Sequence, residues 1–118
     1  MIRDRKTAEA RGRRGEMAAE LWLRAKGWSI LDRRRKTPAG EIDLIAREGG
    51  TVVFVEVKWR AKVAELDYAI DHYRLRRVAA AAEMVAHEYA KQGEGLRVDV
   101  ILLAPRSLPR HIVNAWQP

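Results

Sequence analysis

Gly40-Glu41-Ile42-Asp43-Leu44-Ile45-Ala46-Arg47-Glu48-Gly49-Gly50-Thr51-Val52-Val53-Phe54-Val55-Glu56-Val57-Lys58 decides how this chain folds. Two runs rich in β-branched and apolar residues flank Gly49-Gly50, the pattern of a tight antiparallel hairpin. A turn centred on the two glycines sets residue 48 opposite residue 51, so Ile45 faces Phe54, Asp43 faces Glu56 and Glu41 faces Lys58. Asp43 and Glu56 would then have Cβ atoms roughly 4.5–5.5 Å apart, a destabilising arrangement unless a positive group lies between them. Lys58 shares a face with Glu56, because side chains alternate along a strand. Both faces are apolar from Val52 to Val55, so this second strand belongs at the centre of a sheet.

Outward from the hairpin, the remaining elements follow from periodicity and punctuation. Met1 to Lys6 lacks apolar periodicity and reads as an arm. Thr7 to Lys26 reads as a helix with Ala18, Leu21, Trp22 and Ala25 on one stripe, stopped by Gly27. Gly12 and Gly15 cost about 1 kcal/mol each inside a helix, so either the helix begins near Glu16 or the glycines permit close approach of another group. Trp28 to Lys36 predicts a first strand whose basic end leaves the core for solvent, and Thr37-Pro38-Ala39-Gly40 a loop. After a patternless connector, Arg60 to Asp67, a second helix is predicted over Tyr68–Lys91 with Val78, Ala82, Val85 and Tyr89 as its apolar stripe. Gly93 and Gly95 end it. Leu96 to Leu103 reads as a strand, and Ile112-Val113 as a short edge strand. The order α-β-β-β-α-β predicts an α/β fold, a mixed sheet of four to five strands flanked by two main helices.

The 118 residues fit one domain, 1–118, large enough for a core without staples. The absence of cysteine excludes disulfides and thiolate metal sites, and with no long apolar run a cytoplasmic location is the natural expectation. The net charge of +7 is confined to residues 1–36, which carry 12 Lys/Arg against 5 Asp/Glu. Such asymmetry fits a polyanion partner, since clustered cations gain affinity by releasing phosphate counterions. A solvated basic face is the bland alternative. His72, His87 and His111 lack the spacing of a zinc site.

The charged residues of the hairpin have two readings. As a salt-bridged rim, Glu41, Asp43, Glu56 and Lys58 would contribute about 0–1 kcal/mol per pair. As a site of hard oxygen ligands, Asp43, Glu56 and the Val57 backbone carbonyl would hold Mg²⁺ or Mn²⁺, with Lys58 orienting a water or stabilising a phosphorane-like transition state. These are the parts that phosphodiester hydrolysis requires.

Arg13-Arg14-Gly15-Glu16-x-x-Ala19, Gly40-Glu41-Ile42-Asp43-Leu44-Ile45, Phe54-Val55-Glu56-Val57-Lys58 and Arg97-Val98-Asp99-Val100 together resemble the uncharacterised YraN-like bacterial family. An acidic residue, a hairpin and Glu-x-Lys also resemble the PD-(D/E)XK nuclease superfamily, which has a restriction-endonuclease-like fold, and the YraN-like family is related to archaeal Holliday-junction resolvases. The resemblance spans about residues 9–103. It implies a metal-dependent DNA endonuclease, structure-selective for branched or junction DNA, with Glu16, Asp43, Glu56 and Lys58 as catalytic residues and Glu16 joining Asp43 and Glu56 at the metal. Glu20, one turn beyond Glu16, is the alternative acid of the first helix, and Glu41 takes a supporting role. Arg11, Arg13, Arg14, Arg33, Arg34, Arg35, Lys36, Arg74 and Arg77 are the expected nucleic-acid contacts. Where relatives tend to carry a Lys in the second helix this chain offers Arg74, which keeps the charge but cannot carry a proton. Trp59 either stacks on a base or fills core, core being the commoner use. Symmetrical cutting of a junction would call for a homodimer. The competing functions are a nuclease-fold binding module without catalysis and a basic adaptor that docks an acidic protein.

Overall fold

The computed structural model describes the backbone of residues 2–117 and the side chains of residues 12–117. Its elements are α1 (Ile2–Ala25), β1 (Ser29–Thr37), β2 (Gly40–Glu48), β3 (Thr51–Trp59), a 3-10 turn (Val63–Tyr68), α2 (His72–Tyr89), β4 (Gly95–Leu103) and β5 (Arg110–Ile112). The strands form one mixed sheet in the order β1-β2-β3-β4-β5, in which β3 and β4 are parallel and the other neighbours antiparallel. The α/β architecture and the element order match the sequence reading. So does the central place of β3, whose Val52, Val53, Phe54 and Val55 are fully buried.

Each face of the sheet is covered by one helix. Leu44, Ala46, Val53, Val55, Ile101 and Leu103 pack against α1 through Ala19, Leu23 and the following Trp28. On the other face Ile45, Phe54, Val98 and Val100 pack against Leu75, Val78, Ala81, Ala82 and Val85 of α2. The α2 stripe is the predicted one, but that of α1 is rotated: Leu21 is exposed, and the inward line is Gly15, Ala19 and Leu23. Gly15 explains the rotation, since a Cβ there would already touch Leu103 Cδ1 at 3.6 Å and Trp59 Cβ at 3.7 Å. A helix seated this closely turns its smallest residues inward, as helix packing distances depend on the side chains at the contact.

Other boundaries also moved. Residues 2–6, read as an arm, are helical, while Met1 lies outside the described residues. Tyr68–Asp71 is not part of α2. The chain makes the 3-10 turn first, burying Leu66, and Asp71 then caps α2 by accepting from the N–H groups of Tyr73 and Arg74. β1 stays in the sheet to Thr37 rather than departing into solvent. Among the described residues no helix is long and apolar enough to cross a membrane.

Candidate functional site

The site lies where the sheet forks. The recorded β2–β3 pairs run from Glu48↔Thr51 to Leu44↔Val55 in the register computed from the turn, and end there. Beyond that point β2 continues against β1, through Arg35↔Ile42, Lys36↔Glu41 and Thr37↔Gly40, while β3 continues against β4 from Glu56↔Val100 to Trp59↔Leu103. Asp43 and Glu56 are the first residues past the divergence. The expected ladder pairs Asp43–Glu56 and Glu41–Lys58 are therefore not formed. Instead the Val57 N–H donates to Asp43 Oδ2 at 2.7 Å, so a side chain takes up a donor near which the neighbouring strand has left.

β1 and β2 are irregular at the same level. Arg33 pairs with Leu44 and Arg35 with Ile42, which sets Arg34 opposite Asp43, and Arg34 has φ 50°. A left-handed conformation is unfavourable by roughly 1–2 kcal/mol for a residue with a Cβ. Ile42 and Leu44 pack on opposite faces of the sheet, so side-chain alternation is broken at Asp43.

Asp43 and Glu56 are buried, at 7% and 2% exposure. Burial, followed by a side-chain hydrogen bond shared with Glu56 and then the charge of Glu56, pushes the Asp43 carboxyl up to about 8, with the Val57 N–H opposing and Glu16 adding to the rise. Glu56 Oε2 accepts from Arg74 Nε at 2.6 Å and lies 3.8 Å from Lys58 Nζ. Glu56 Oε1 is buried with no hydrogen-bond partner. Burial holds the Lys58 ammonium below its ordinary value, with Arg74 and Arg60 reinforcing and Glu56 and Asp43 opposing. An oxygen pair of this kind, two hard donors with one lone oxygen unsatisfied, fits a divalent cation. Val57 sits between Glu56 and Lys58 on β3 and pairs with Ile101.

Glu16 is placed differently. It faces the fork closely enough to act on Asp43, yet Arg34 Nε donates to its Oε1 at 2.7 Å. Among the described residues no three acidic or histidine side chains converge at metal-holding spacing, so Glu16 is not in place as a third carboxylate ligand. Glu20 is further engaged: it accepts from Arg33 and Arg24, and the Arg33 hydrogen bond leads in pulling its carboxyl down to about 2. Of the two candidate acids, Glu16 and Glu20, Glu16 is the one tied to the fork.

The basic residues divide sharply. Arg33 is bound to Glu20, Arg34 to Glu16, and Arg35 to both Glu88 and Tyr89. Arg33, Arg34 and Lys36 of this run are exposed as expected, but Arg33, Arg34 and Arg35 are ion-paired by acids of both helices. Arg13, Arg14 and Lys36 are exposed, Arg77 donates to the Ala39 carbonyl, and the side chain of Arg11 lies outside the described residues. Trp59 is half-buried against the α1-side core and also lines a cavity of about 440 Å³ with Gly12, Lys58 and Arg60.

Two features were missed from sequence. One is the direct pairing of Arg74 with Glu56, for which the signal was a carboxylate in an apolar strand that needs a cation. The other is Asp99, buried completely in β4, which accepts from Arg97 twice, from the Asn114 N–H, and at Oδ2 from His111. An Asp in the middle of Val98-Asp99-Val100-Ile101 was the available signal.

Comparisons with other proteins agree along the chain. A protein of Erythrobacter litoralis is 69% identical over 114 residues, covering 97% of this chain and 98% of its own length. One from Sphingopyxis alaskensis is 60% identical over 114 residues, covering 97% and 98%. A third, from Maricaulis maris, is 46% identical over 119 residues, covering 100% and 94%. All three are described as UPF0102 proteins. The profile of Uncharacterised protein family UPF0102 matches residues 15–103, from the glycine that seats α1 to the end of β4, and the chain belongs to this YraN-like family.

Proposed function

We propose that the chain is a cytoplasmic, metal-dependent nuclease that hydrolyses phosphodiester bonds in DNA at the β2–β3 fork. The observation that carries the reading is the pair of buried carboxylates at the fork, one oxygen of which, Glu56 Oε1, has no partner. Buried carboxylates are costly, Arg74 and Lys58 offset only the Glu56 side of the pair, and a bound cation would supply positive charge to both. Asp43, Glu56 and the Val57 carbonyl would hold Mg²⁺ or Mn²⁺. The cation, when bound, neutralises charge on a phosphate oxygen and acidifies water.

The chain's own residues then have defined tasks. Lys58, half-buried beside Glu56, presents its ammonium to the developing negative charge at the phosphate, or as the amine accepts a hydrogen bond from water; burial favours the amine form. Arg13, Arg14, Lys36 and Arg77 supply phosphate contacts around the fork. Glu16 shapes the field at Asp43 through charge and is held by Arg34. Two copies would be needed to cut both strands of a junction symmetrically.

The test is cleavage of linear, flapped and four-way-junction DNA with Mg²⁺ or Mn²⁺. Native protein should cut at least one substrate, and Asp43→Ala and Glu56→Ala should each lose at least about 100-fold in rate, the scale of one preorganised electrostatic group. Cleavage that survives both substitutions, or no cleavage of any substrate, would sink the enzymatic reading. DNA binding by an inactive native chain would leave a binding module in its place.

A further inference from the structure

We propose that the cavity at the end of β3, between Gly12 and Trp59, is a subsite for one unpaired nucleobase of a DNA chain whose adjoining phosphate lies at Lys58. The inference rests on the DNA-cleaving reading above and specifies the strand state that the site takes.

The walls come first. The cavity holds about 440 Å³, a volume that falls within the range of roughly 300–1,000 Å³ common to small-ligand pockets. Val57 and Ala61 line it with apolar surface, Trp59 with an aromatic ring, Lys58 and Arg60 with two cations and Glu65 with a carboxylate. Trp59 pairs with Leu103 and packs partly on the α1-side core. The Arg60 N–H donates to the Leu103 carbonyl at 2.9 Å, and Arg60 Nη1 to the Trp59 carbonyl at 2.8 Å. Aromatic and cation are thus presented from the end of the sheet rather than from a free loop.

Gly12 comes second. Glycine inside a helix is unfavourable relative to alanine, so each of the two in α1 needs a reason. Gly15 has one in the close seat of the helix on Trp59 and Leu103. Gly12 is three residues earlier and on the same side of the helix, yet a Cβ there would meet no atom within 4 Å. Packing does not account for it. What Gly12 does is border the cavity with Trp59, where a long side chain would take up the space.

Chemistry comes third, and a nucleotide matches these groups piece by piece. Any base has a face that stacks on an aromatic ring. A carboxylate accepts from the exocyclic amino group of a base and repels phosphate, so Glu65 serves the base and not the backbone. The two cations suit the phosphate. Lys58 joins the cavity to the fork, since it lines the one and lies 3.8 Å from Glu56 Oε2 in the other. A base within a duplex enters such a cavity only by leaving its stack and its partner, which costs least for a base already unpaired. The preferred substrate is therefore a strand with an unpaired nucleotide beside the cleaved bond, as in a flap.

The experiment measures binding, not turnover. Fluorescence anisotropy in EDTA compares a blunt duplex with a flapped duplex that carries 2-aminopurine as its first unpaired base, and the 2-aminopurine emission is read in the same titration. Native protein should hold the flapped DNA at least about fivefold more tightly, the lower end of what one stacked base contributes, and should quench the emission. Trp59→Ala should lose both the preference and the quenching, while Trp59→Phe keeps the preference. Gly12→Leu fills the cavity from a helix that it also favours, so it should lose both while melting no earlier than native protein, and it decides the matter if Trp59→Ala unfolds. Deoxycytidine monophosphate should fail to displace the flapped DNA at concentrations where an unlabelled flap succeeds. Displacement by the mononucleotide at equal concentration gives the cavity to a free nucleotide and overturns the inference. Equal affinity for flapped and blunt DNA, or a preference that survives both Trp59→Ala and Gly12→Leu, overturns it too. Loss of the preference in those two variants, with Asp43→Ala and Glu56→Ala binding as native protein does, upholds the subsite even where no DNA is cut and the enzymatic reading falls.

Discussion

Two buried acidic clusters sit on the same sheet and have opposite character. Asp99 on β4 is fully enclosed and accepts hydrogen bonds from Arg97, His111 and the Asn114 N–H. Burial raises its carboxyl, but those hydrogen bonds and the Arg97 charge outweigh burial and hold it below the ordinary value. Asp43, at the fork with Glu56, has one backbone donor and is pushed up to about 8. Burial is common to both, so it does not separate them. Satisfaction does: a carboxylate whose oxygens are filled by the protein is a fastening, and one whose oxygens are left over is a place for something else to bind.

The comparison breaks first at Asp99. His111 stands on β5, and Asn114 follows it, so Asp99 adds side-chain ties to the backbone bonds that hold the last strand and its sequel on β4. Asp99→Ala removes the partner of Arg97 and His111 together. Loss of one member of a buried ionic network costs about 3–5 kcal/mol, and the melting temperature should fall by roughly 10 °C or more. Asp43→Ala should be far milder, because it removes a like-charge neighbour of Glu56. Melting followed by circular dichroism decides this. Equal losses at the two positions would erase the distinction between fastening and ligand.

The same contrast gives stability a pH profile with two limbs. The Asp43 carboxyl lies higher in the folded state than its ordinary 3.8, so the folded protein holds a proton the unfolded chain releases. Its contribution is intact below the unfolded value, declines as pH rises from about 4 to about 8, and is lost above that. The Asp99 carboxyl is depressed, so its contribution is present above the ordinary value and is lost as acid protonates it below about pH 4. Without divalent cation, melting temperature should therefore fall between pH 5 and pH 8. The fall should be equivalent to a few kcal/mol, and Asp43→Asn or saturating Mg²⁺ should flatten it. A native profile that is already flat over this range, and unmoved by Mg²⁺, would remove the case for an uncompensated site.

Much of this was readable in the sequence because the deciding signals are local. Gly49-Gly50 set the hairpin register over Leu44–Glu48, and the apolar run Val52–Val55 marked the central strand. The candidates Asp43, Glu56 and Lys58 were found for the same reason, being charges at fixed offsets from the turn. What stayed hidden depends on residues distant in the chain. No local pattern says that β2 and β3 part company after Leu44↔Val55, since each is drawn away by a different neighbour. Nor does the run Arg33-Arg34-Arg35 reveal that Glu16, Glu20 and Glu88 will meet it from two helices on opposite faces. The α1 face was misjudged because its buried line begins at Gly15, a residue with no hydropathy signal, while Leu21 supplies a strong and misleading one.

The finest test carries the rule of satisfied and unsatisfied charge from anions to cations. Arg33 and Arg34 are committed to glutamates at 2.6 and 2.7 Å, whereas Arg13 and Arg14 are exposed and among the described residues have no recorded ion pair. Only uncommitted cations release counterions when they meet a phosphate. Replacing Arg13 and Arg14 together by Ala should lower the slope of log affinity against log salt by up to about 2, close to one unit per lost contact. Arg33→Ala should leave that slope nearly unchanged and alter stability little, as loss of an exposed pair does. Salt titration of DNA binding by fluorescence anisotropy reads both. If Arg33→Ala flattens the slope as much as the Arg13/Arg14 pair does, its salt bridge opens freely for DNA, and pairing in the free protein does not mark which cations are structural.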